Sequence, residues 1–227
     1  MWRIIYDTSS FGNRYPSSYL VSLFHARIKP LLLERKSGLE RVNVLDFGCS
    51  IGANSAVFTA LNMNVYGIDV SESAISRLVK NGVGDQEHFK AVNLVNQELE
   101  LDDVFPDTKY DLIIASECIY YFSNSERQRL LEKFIKAMND GAILYVSMPT
   151  FDMSLYRAYK NVPKNHDGMI EIKESGRIKR ALWVNLPKNI EECKEMFNQF
   201  QIIDIMTVNM PLYSDDDMIE YHLIATK

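Results

Sequence analysis

Three short stretches hold residues whose types and spacing suit chemistry. In Val44-Leu45-Asp46-Phe47-Gly48-Cys49-Ser50-Ile51-Gly52, an apolar run ends in a turn that carries two glycines. Residues without bulk at Gly48 and Gly52 let backbone N–H groups approach a ligand closely as a strand turns into a helix. The G-x-x-x-G spacing differs from the dinucleotide G-x-G-x-x-G and lacks the Lys-Ser/Thr of a phosphate loop, which argues against a dehydrogenase. Further on, Asn64-Val65-Tyr66-Gly67-Ile68-Asp69 is a strand ending in an acid. In a β-α-β unit that carboxylate lies at the carboxyl edge beside the glycine turn, where it can accept from both hydroxyls of a ribose. Val70 is then placed to lie against a purine face. The third stretch, Tyr110 to Phe122, is an apolar strand leading into an aromatic loop, with Tyr120 and Tyr121 positioned either to touch a reactant or to pack.

Among the four histidines, His25, His88 and His222 read as structural or exposed, whereas His166 stands beside Asp167 and is the one nominated as a general base. Cys49, Cys118 and Cys193 are odd in number and far apart, without metal-ligand spacing. The run Ser214-Asp215-Asp216-Asp217 has no metal-loop pattern and reads as a solvated loop.

Short apolar runs that alternate with amphipathic segments of helix length have to position these residues. The runs predict strands at Val42–Phe47, Val65–Asp69, Phe89–Val92, Tyr110–Ala115, Ala142–Ser147, Gln201–Val208 and Tyr221–Thr226. Helices are expected at Ser17–Glu34, Asn54–Leu61, Glu72–Lys80, Ser125–Met138 and Ile190–Phe197, with Ser71, Ser125 and Asn189 as N-caps and Asp140-Gly141 as a stop. The first, fourth and fifth strands are continuously apolar, as in a sheet covered on both faces. The fold class is therefore α/β, a doubly wound, mostly parallel sheet. A single domain over 1–227 is expected, with an N-terminal cap over 1–40 and an insertion over 151–189. Eight Lys or Arg face four acids in that insertion, a local +4 that leaves −9 for the rest of a chain of net charge −5. Met169–Lys173 and Arg177–Val184 flank Glu174-Ser175-Gly176 as a hairpin would. Strand alternation puts Arg177 and Lys179 on one face and Arg180 on the other.

An apolar content of 47% in 227 residues is enough for a full core. The acidic balance argues against a dedicated nucleic-acid binder. No apolar run approaches 18 residues, so no membrane span is expected. The opening MWRIIYDTSS lacks the pattern of a secretory signal, and the expected location is the cytoplasm.

VLDFGCSIG resembles the glycine-rich first motif of the class I S-adenosylmethionine-dependent methyltransferases, and YGIDVSESAI their acidic second motif. YDLIIASECIYYF is similar to their motif after the fourth strand and GAILYVSMP to the fifth-strand motif. Trp2, Ile5-Tyr6, Phe11-Gly12 and Pro16-Ser17 are similar to the N-terminal cap of small-molecule members. The resemblance implies seven strands, the last antiparallel, and S-adenosylmethionine as cofactor. It implies that Asp46 holds the methionine amine through water while Gly48 and Gly52 wrap the methionine and ribose. Asp69 would bind the ribose hydroxyls, Val70 would pack on adenine and Asn93 would accept from the adenine amino group. Ser116 would offer its backbone near the methionine moiety. Arg14, in the expected cap, is placed either to pair with the methionine carboxylate or to lie at the surface. Ser50 departs from the family's usual glycine and is strained by about 1 kcal/mol or more if its φ is positive.

The resemblance implies methyl transfer, and an acidic body with one basic patch favours a small, anionic acceptor bearing a phosphate, carboxylate or sugar, with Arg177 and Lys179 contacting it and Tyr120, Tyr121 and His166 nearest the chemistry. Rival readings are an RNA or protein acceptor docked on Lys173–Arg180, and a non-catalytic partner subunit that only holds the cofactor.

Overall fold

The computed structural model describes residues 15–95, 98–173, 181–211 and 217–227. Strands β1 (Asn43–Phe47), β2 (Asn64–Asp69), β3 (Phe89–Ala91), β4 (Tyr110–Ser116), β5 (Met138–Pro149), β8 (Gln201–Pro211) and β9 (Asp217–Thr226) form one sheet in the order β3-β2-β1-β4-β5-β9-β8. β1 pairs in parallel with β2 and β4, and β2 with β3, whereas β8 and β9 are antiparallel. This is the doubly wound, mostly parallel seven-stranded sheet expected from the sequence. The chain runs outward from β1 to β3 and then returns to β4 on the other side of β1, so the strand order reverses beside β1. Ligands bind at the carboxyl ends of the strands at such a reversal.

The chain divides into two compact units, the first made of Met1–Ile114, Lys133–Ile143 and Lys227, the second of Ala115–Glu132 and Leu144–Thr226.

In the first unit, Val44, Leu45, Leu112, Ile113 and Ile114 are wholly buried, which is why their strands read as unbroken apolar runs. Phe24 packs edge-on against Phe58 with ring centroids 5.1 Å apart. The helix expected over Ser17–Glu34 is interrupted: α1 (Ser18–Leu23) passes through a π turn at Phe24–Ile28 into α2 (Lys29–Leu33). Pro30 comes two residues after the end of this turn; it has no N–H to donate back, so the regular ladder slackens and Lys29 N–H reaches Phe24 O instead. α3 (Ala53–Ala60) follows the glycine turn. α4 (Glu72–Lys80) is capped by Ser71, whose Oγ accepts from Ala74 N at 3.2 Å. The short α5 (Leu101–Val104), unforeseen in the sequence, opens with a Glu100–Asp103 capping box. Asp111, at the amino end of β4, is buried yet well satisfied: it accepts from Asn43 N at 3.0 Å and Asn139 Nδ2 at 2.7 Å, and pairs with Lys36 at 2.9 Å. Asp140-Gly141, expected to stop a helix, lies inside β5, because α6 (Asn124–Ala137) gives way to the strand at Met138 without a loop.

In the second unit, α6 begins one residue before the predicted start. Ser123 and not Ser125 is its cap: Ser123 Oγ accepts from Glu126 N at 3.4 Å while Ser123 N donates to Glu126 Oε2 at 2.9 Å. Ser125 instead donates from N and Oγ to Asp167, at 3.0 and 2.8 Å. β6 (Ile170–Ile172) and β7 (Leu182–Val184) make an antiparallel ribbon in the register Ile170↔Val184 and Ile172↔Leu182. The ribbon agrees with the expected hairpin, but its expected turn, with Arg177, Lys179 and Arg180, lies outside the described residues. Asn185 N donates to Tyr120 O at 2.7 Å, tying the inserted segment to the loop after β4. α7 (Ile190–Met196) is capped by Asn189, as expected, through Glu192 N at 2.9 Å.

Candidate functional site

The glycine turn and the acid-ended strand meet through the backbone in the first unit. Gly48 N and Cys49 N both donate to Ile68 O, at 2.8 and 3.1 Å, so the end of β2 clamps the start of the turn. Asp69 closes the arrangement: its Oδ2 accepts from Ser50 N and its Oδ1 from Ser71 N, both at 2.9 Å. Each oxygen keeps acceptor capacity beyond that one bond, which is what two ribose hydroxyls require. Burial raises the pKa of Asp69, against the lowering effect of hydrogen bonds from the Ser71, Ser50 and Val70 amides. Val70, next in the chain, is 40% exposed, an apolar side chain left open beside the carboxylate.

Gly48, Ser50 and Gly52 all have positive φ, at 75°, 53° and 85°. The serine therefore adopts the left-handed conformation that its usual glycine replacement would favour, and the strain foreseen for that case is present. Its Oγ is also buried without a hydrogen-bond partner. Replacing Ser50 by Gly should relieve both costs and stabilise the protein by about 1 kcal/mol, net of the glycine's greater chain entropy. The expected readout is a melting temperature raised by roughly 2–4 °C in the absence of ligand. A lowered melt would show that the hydroxyl has a stabilising partner.

Asp46 is buried, and its Oδ2 accepts from Ser55 Oγ of α3 at 2.5 Å. Burial is the main cause of a pKa pushed up to about 6. Asn93 follows β3 and is half-buried; its Oδ1 accepts from Val95 N at 3.3 Å, so the carbonyl expected to meet an adenine amino group also shapes its own turn. Arg14 lies outside the described residues.

The second unit holds a buried polar cluster that the sequence reading mostly overlooked. Ser116 Oγ lies 3.0 Å from Ser147 Oγ, and Glu117 N donates to Ser147 O at 3.0 Å. Glu117 has φ +55°, unusual for a residue with a side chain, and its Oε1 is buried without a partner. Burial first and the charge of Glu220 second push its pKa up to about 8, against a hydrogen bond from Ser147. Glu220 of β9 is 5% exposed, with Oε2 3.2 Å from His222 Nε2; on the other side of that imidazole, Nδ1 lies 2.7 Å from Tyr145 Oη. Tyr120 Oη donates to Tyr121 Oη at 2.8 Å, and Tyr156 bonds to Tyr120. Burial raises the pKa of all three phenols, and the charge of Glu117 adds to the effect on each, so they stay neutral.

The cluster thus contains Ser116, Tyr120 and Tyr121, all named from the sequence, and adds Glu117, Glu220 and Tyr156, which were not. An acid at the carboxyl end of an apolar strand, the signal used for Asp69, also marks Glu117. His166, nominated as a base, is exposed, and the neighbouring Asp167 carboxylate hydrogen-bonds to Ser125 at the N-terminus of α6.

Raised carboxyl pKa values have a consequence for stability. Asp46 and Glu117 keep their protons to a higher pH in the folded chain than in the unfolded chain, and burial raises the Asp69 pKa in the same direction. Their contribution is therefore greatest below the ordinary carboxylate range and is lost as pH rises through about 6 for Asp46 and about 8 for Glu117. The urea midpoint should fall between pH 6 and 8.5, and Glu117→Gln should flatten that fall. A midpoint that rises over the interval would contradict the assignment.

Residues 17–209 match the family described as the methyltransferase domain, and the chain belongs to that family. Its sheet is that of the S-adenosylmethionine-dependent methyltransferases. Among solved structures, one of such enzymes from Methanosarcina mazei superposes with a TM-score of 0.64 at 17% identity, covering 83% of this chain and 93% of that one. The magnesium protoporphyrin IX methyltransferase of Synechocystis PCC 6803, with bound SAH, gives 0.57 at 17% identity and covers 100% and 92%. A chemotaxis protein methyltransferase of Campylobacter jejuni is 28% identical over 155 residues, 53% of this chain and 59% of the relative. The chain therefore spans somewhat over half the length of the curated relatives it matches. Among the described residues no helix is long and apolar enough to cross a membrane.

Proposed function

We propose that this chain transfers a methyl group from S-adenosylmethionine to a small-molecule acceptor that carries an anionic group. The observation that carries the cofactor assignment is Asp69, whose two oxygens each hold one backbone amide of the glycine turn or of the helix after β2, with further acceptor capacity on both. The orphaned Ser50 Oγ and the open face of Val70 suit the same ligand. When bound, the cofactor supplies a methyl already activated on a sulfonium. The chain's residues then have to bind and align: Asp69 holds the ribose, Val70 packs on adenine, Asn93 accepts from the adenine amino group and Asp46 receives the methionine amine. Alignment of this kind supplies on the order of 7–11 kcal/mol of barrier lowering.

The anionic group on the acceptor is argued from the basic insertion. Several of its cations have local partners: Lys164 pairs with Glu192, and Lys160 with Asp152 at 2.6 Å, while Arg157 donates to Asp152 O. The proposal therefore rests on Arg177 and Lys179. The magnesium protoporphyrin IX enzyme, named for a small molecule, supports the size class. The Campylobacter relative favours a second reading, a protein acceptor. A cytoplasmic location is part of the same proposal.

The test is calorimetric binding of S-adenosylhomocysteine, followed by a methyl-transfer screen against metabolites, an RNA pool and a protein extract. Turnover of metabolites is expected. Turnover of the extract alone would select the second reading, and binding with no turnover would leave a non-catalytic subunit.

A further inference from the structure

The two ends of β4 carry carboxylates with opposite fates. Asp111, at the amino end, has a lysine and two amide donors. Glu117, just past the carboxyl end, has a buried oxygen with no partner and a second buried carboxylate, Glu220, as its neighbour. The ion pairs among the described residues give neither glutamate a Lys or Arg; His222 Nε2 stands 3.2 Å from Glu220 Oε2, and Ser147 hydrogen-bonds to Glu117. Desolvated like charges of this kind are costly unless a cation or a proton sits between them. The charge of Glu117 acts on Tyr120, Tyr121 and Tyr156, and the first two rings lie 4.2 Å apart between centroids. Carboxylates in an aromatic neighbourhood suit an organic cation, which gains from the charges and the ring faces together.

We propose that Glu117 and Glu220, with Tyr120, Tyr121 and Tyr156, receive the acceptor as a protonated amine and that Glu117 takes its proton, so that the atom methylated is nitrogen. This rests on the methyltransferase reading and names the acceptor's reacting group. An N–H bond of the ammonium breaks, its proton goes to a Glu117 oxygen and its electron pair stays on nitrogen. That lone pair forms the new N–C bond as the methyl leaves the donor sulfur, which keeps the S–C electrons. Other acceptors fit less well. An alcohol would bring no positive charge to offset the buried carboxylates, and a carboxylate acceptor would add a further negative charge beside them. The neutral phenols cannot serve as the base.

The experiment pairs an aminoalkyl phosphate, an amino acid and an amino sugar phosphate with their hydroxyl counterparts, using the full chain and S-adenosylmethionine, with products read by mass spectrometry. Methylation of the amine member only is expected. Glu117→Gln should lower kcat at least a hundredfold with the calorimetric affinity for S-adenosylhomocysteine unchanged. In Glu220→Gln the acidic limb of the kcat/KM profile should move to lower pH, because the charge that raises the Glu117 pKa is gone. Calorimetry of the same amines onto the S-adenosylhomocysteine complex should show binding that Glu117→Gln abolishes. Methylation of the hydroxyl members, wild-type turnover in Glu117→Gln, or bound cofactor with no amine bound or methylated would each overturn the assignment. Should Glu117→Gln fail to fold by circular dichroism, the Glu220→Gln pH profile and the wild-type amine binding still decide it. Failure to bind S-adenosylhomocysteine at all would instead sink the methyltransferase reading beneath it.

Discussion

Asp69→Ala is expected to weaken S-adenosylhomocysteine binding by at least a hundredfold. Two charge-assisted bonds to the ribose, at about 1.5–3 kcal/mol each, already account for that. The variant also frees the amides of Ser50 and Ser71, both held by this carboxylate at 2.9 Å. The glycine turn then loses its tie to β2, so a further loss from loop disorder adds to the first. Asp69→Asn should fall between wild type and alanine, because a carboxamide keeps one acceptor but presents an NH2 group toward an amide N–H. Calorimetry on variants with native circular dichroism is the check. An unchanged affinity in Asp69→Ala would remove the central support for a nucleoside ligand.

For Gly52→Ala the expected loss is of the fold and not of a contact. Gly52 has φ +85°, and a Cβ built on it would lie 2.8 Å from Leu78 Cγ and Cδ1 and 3.0 Å from Val83 Cγ1. The left-handed conformation costs an alanine about 1–2 kcal/mol and the overpacking about 1–3. Leu78 is wholly buried, so it has little room to yield. A melting temperature lowered by roughly 5–15 °C follows for a chain of this size. Retention of the wild-type melt with only a loss of cofactor affinity would show instead that the glycine serves the ligand.

The central strands were legible because burial on both faces leaves only one kind of sequence, such as Leu112-Ile113-Ile114. The place of Asp69 beside the glycine turn was legible for a related reason: an acid closing an apolar strand stands there only where something donates to it, as the Ser50 and Ser71 amides do. Local effects account for most of the misses. Nothing in Ser17–Glu34 marks a π turn except Pro30, and Ser123 and Ser125 are equally good caps until Asp167 claims the second. Asp140-Gly141 has the composition of a helix stop, and only the pairing of β5 shows otherwise. Glu117 carried the same signal as Asp69 but was read as part of an aromatic loop. Its importance depends on Glu220, on a strand distant in sequence, and no local pattern can announce a pair of that range. Arg14, Arg177 and Lys179 rest on sequence argument alone.

The position of β9 has a consequence for how the molecule is made. It is the last of the seven strands to be synthesised, yet it sits between β5 and β8. Until it emerges, β5 has one row of backbone donors and acceptors open, and Leu144, Tyr145 and Val146, wholly buried at the end, have no cover on that side. At a translation rate of about 5–20 residues per second, the interval from Pro149 to Thr226 lasts roughly 4–15 seconds. β8 cannot shorten the wait, because it joins the sheet through β9. A nascent chain of this protein thus passes through a defined period with an apolar, unpaired strand edge, the state in which a partner strand from another chain is most readily captured.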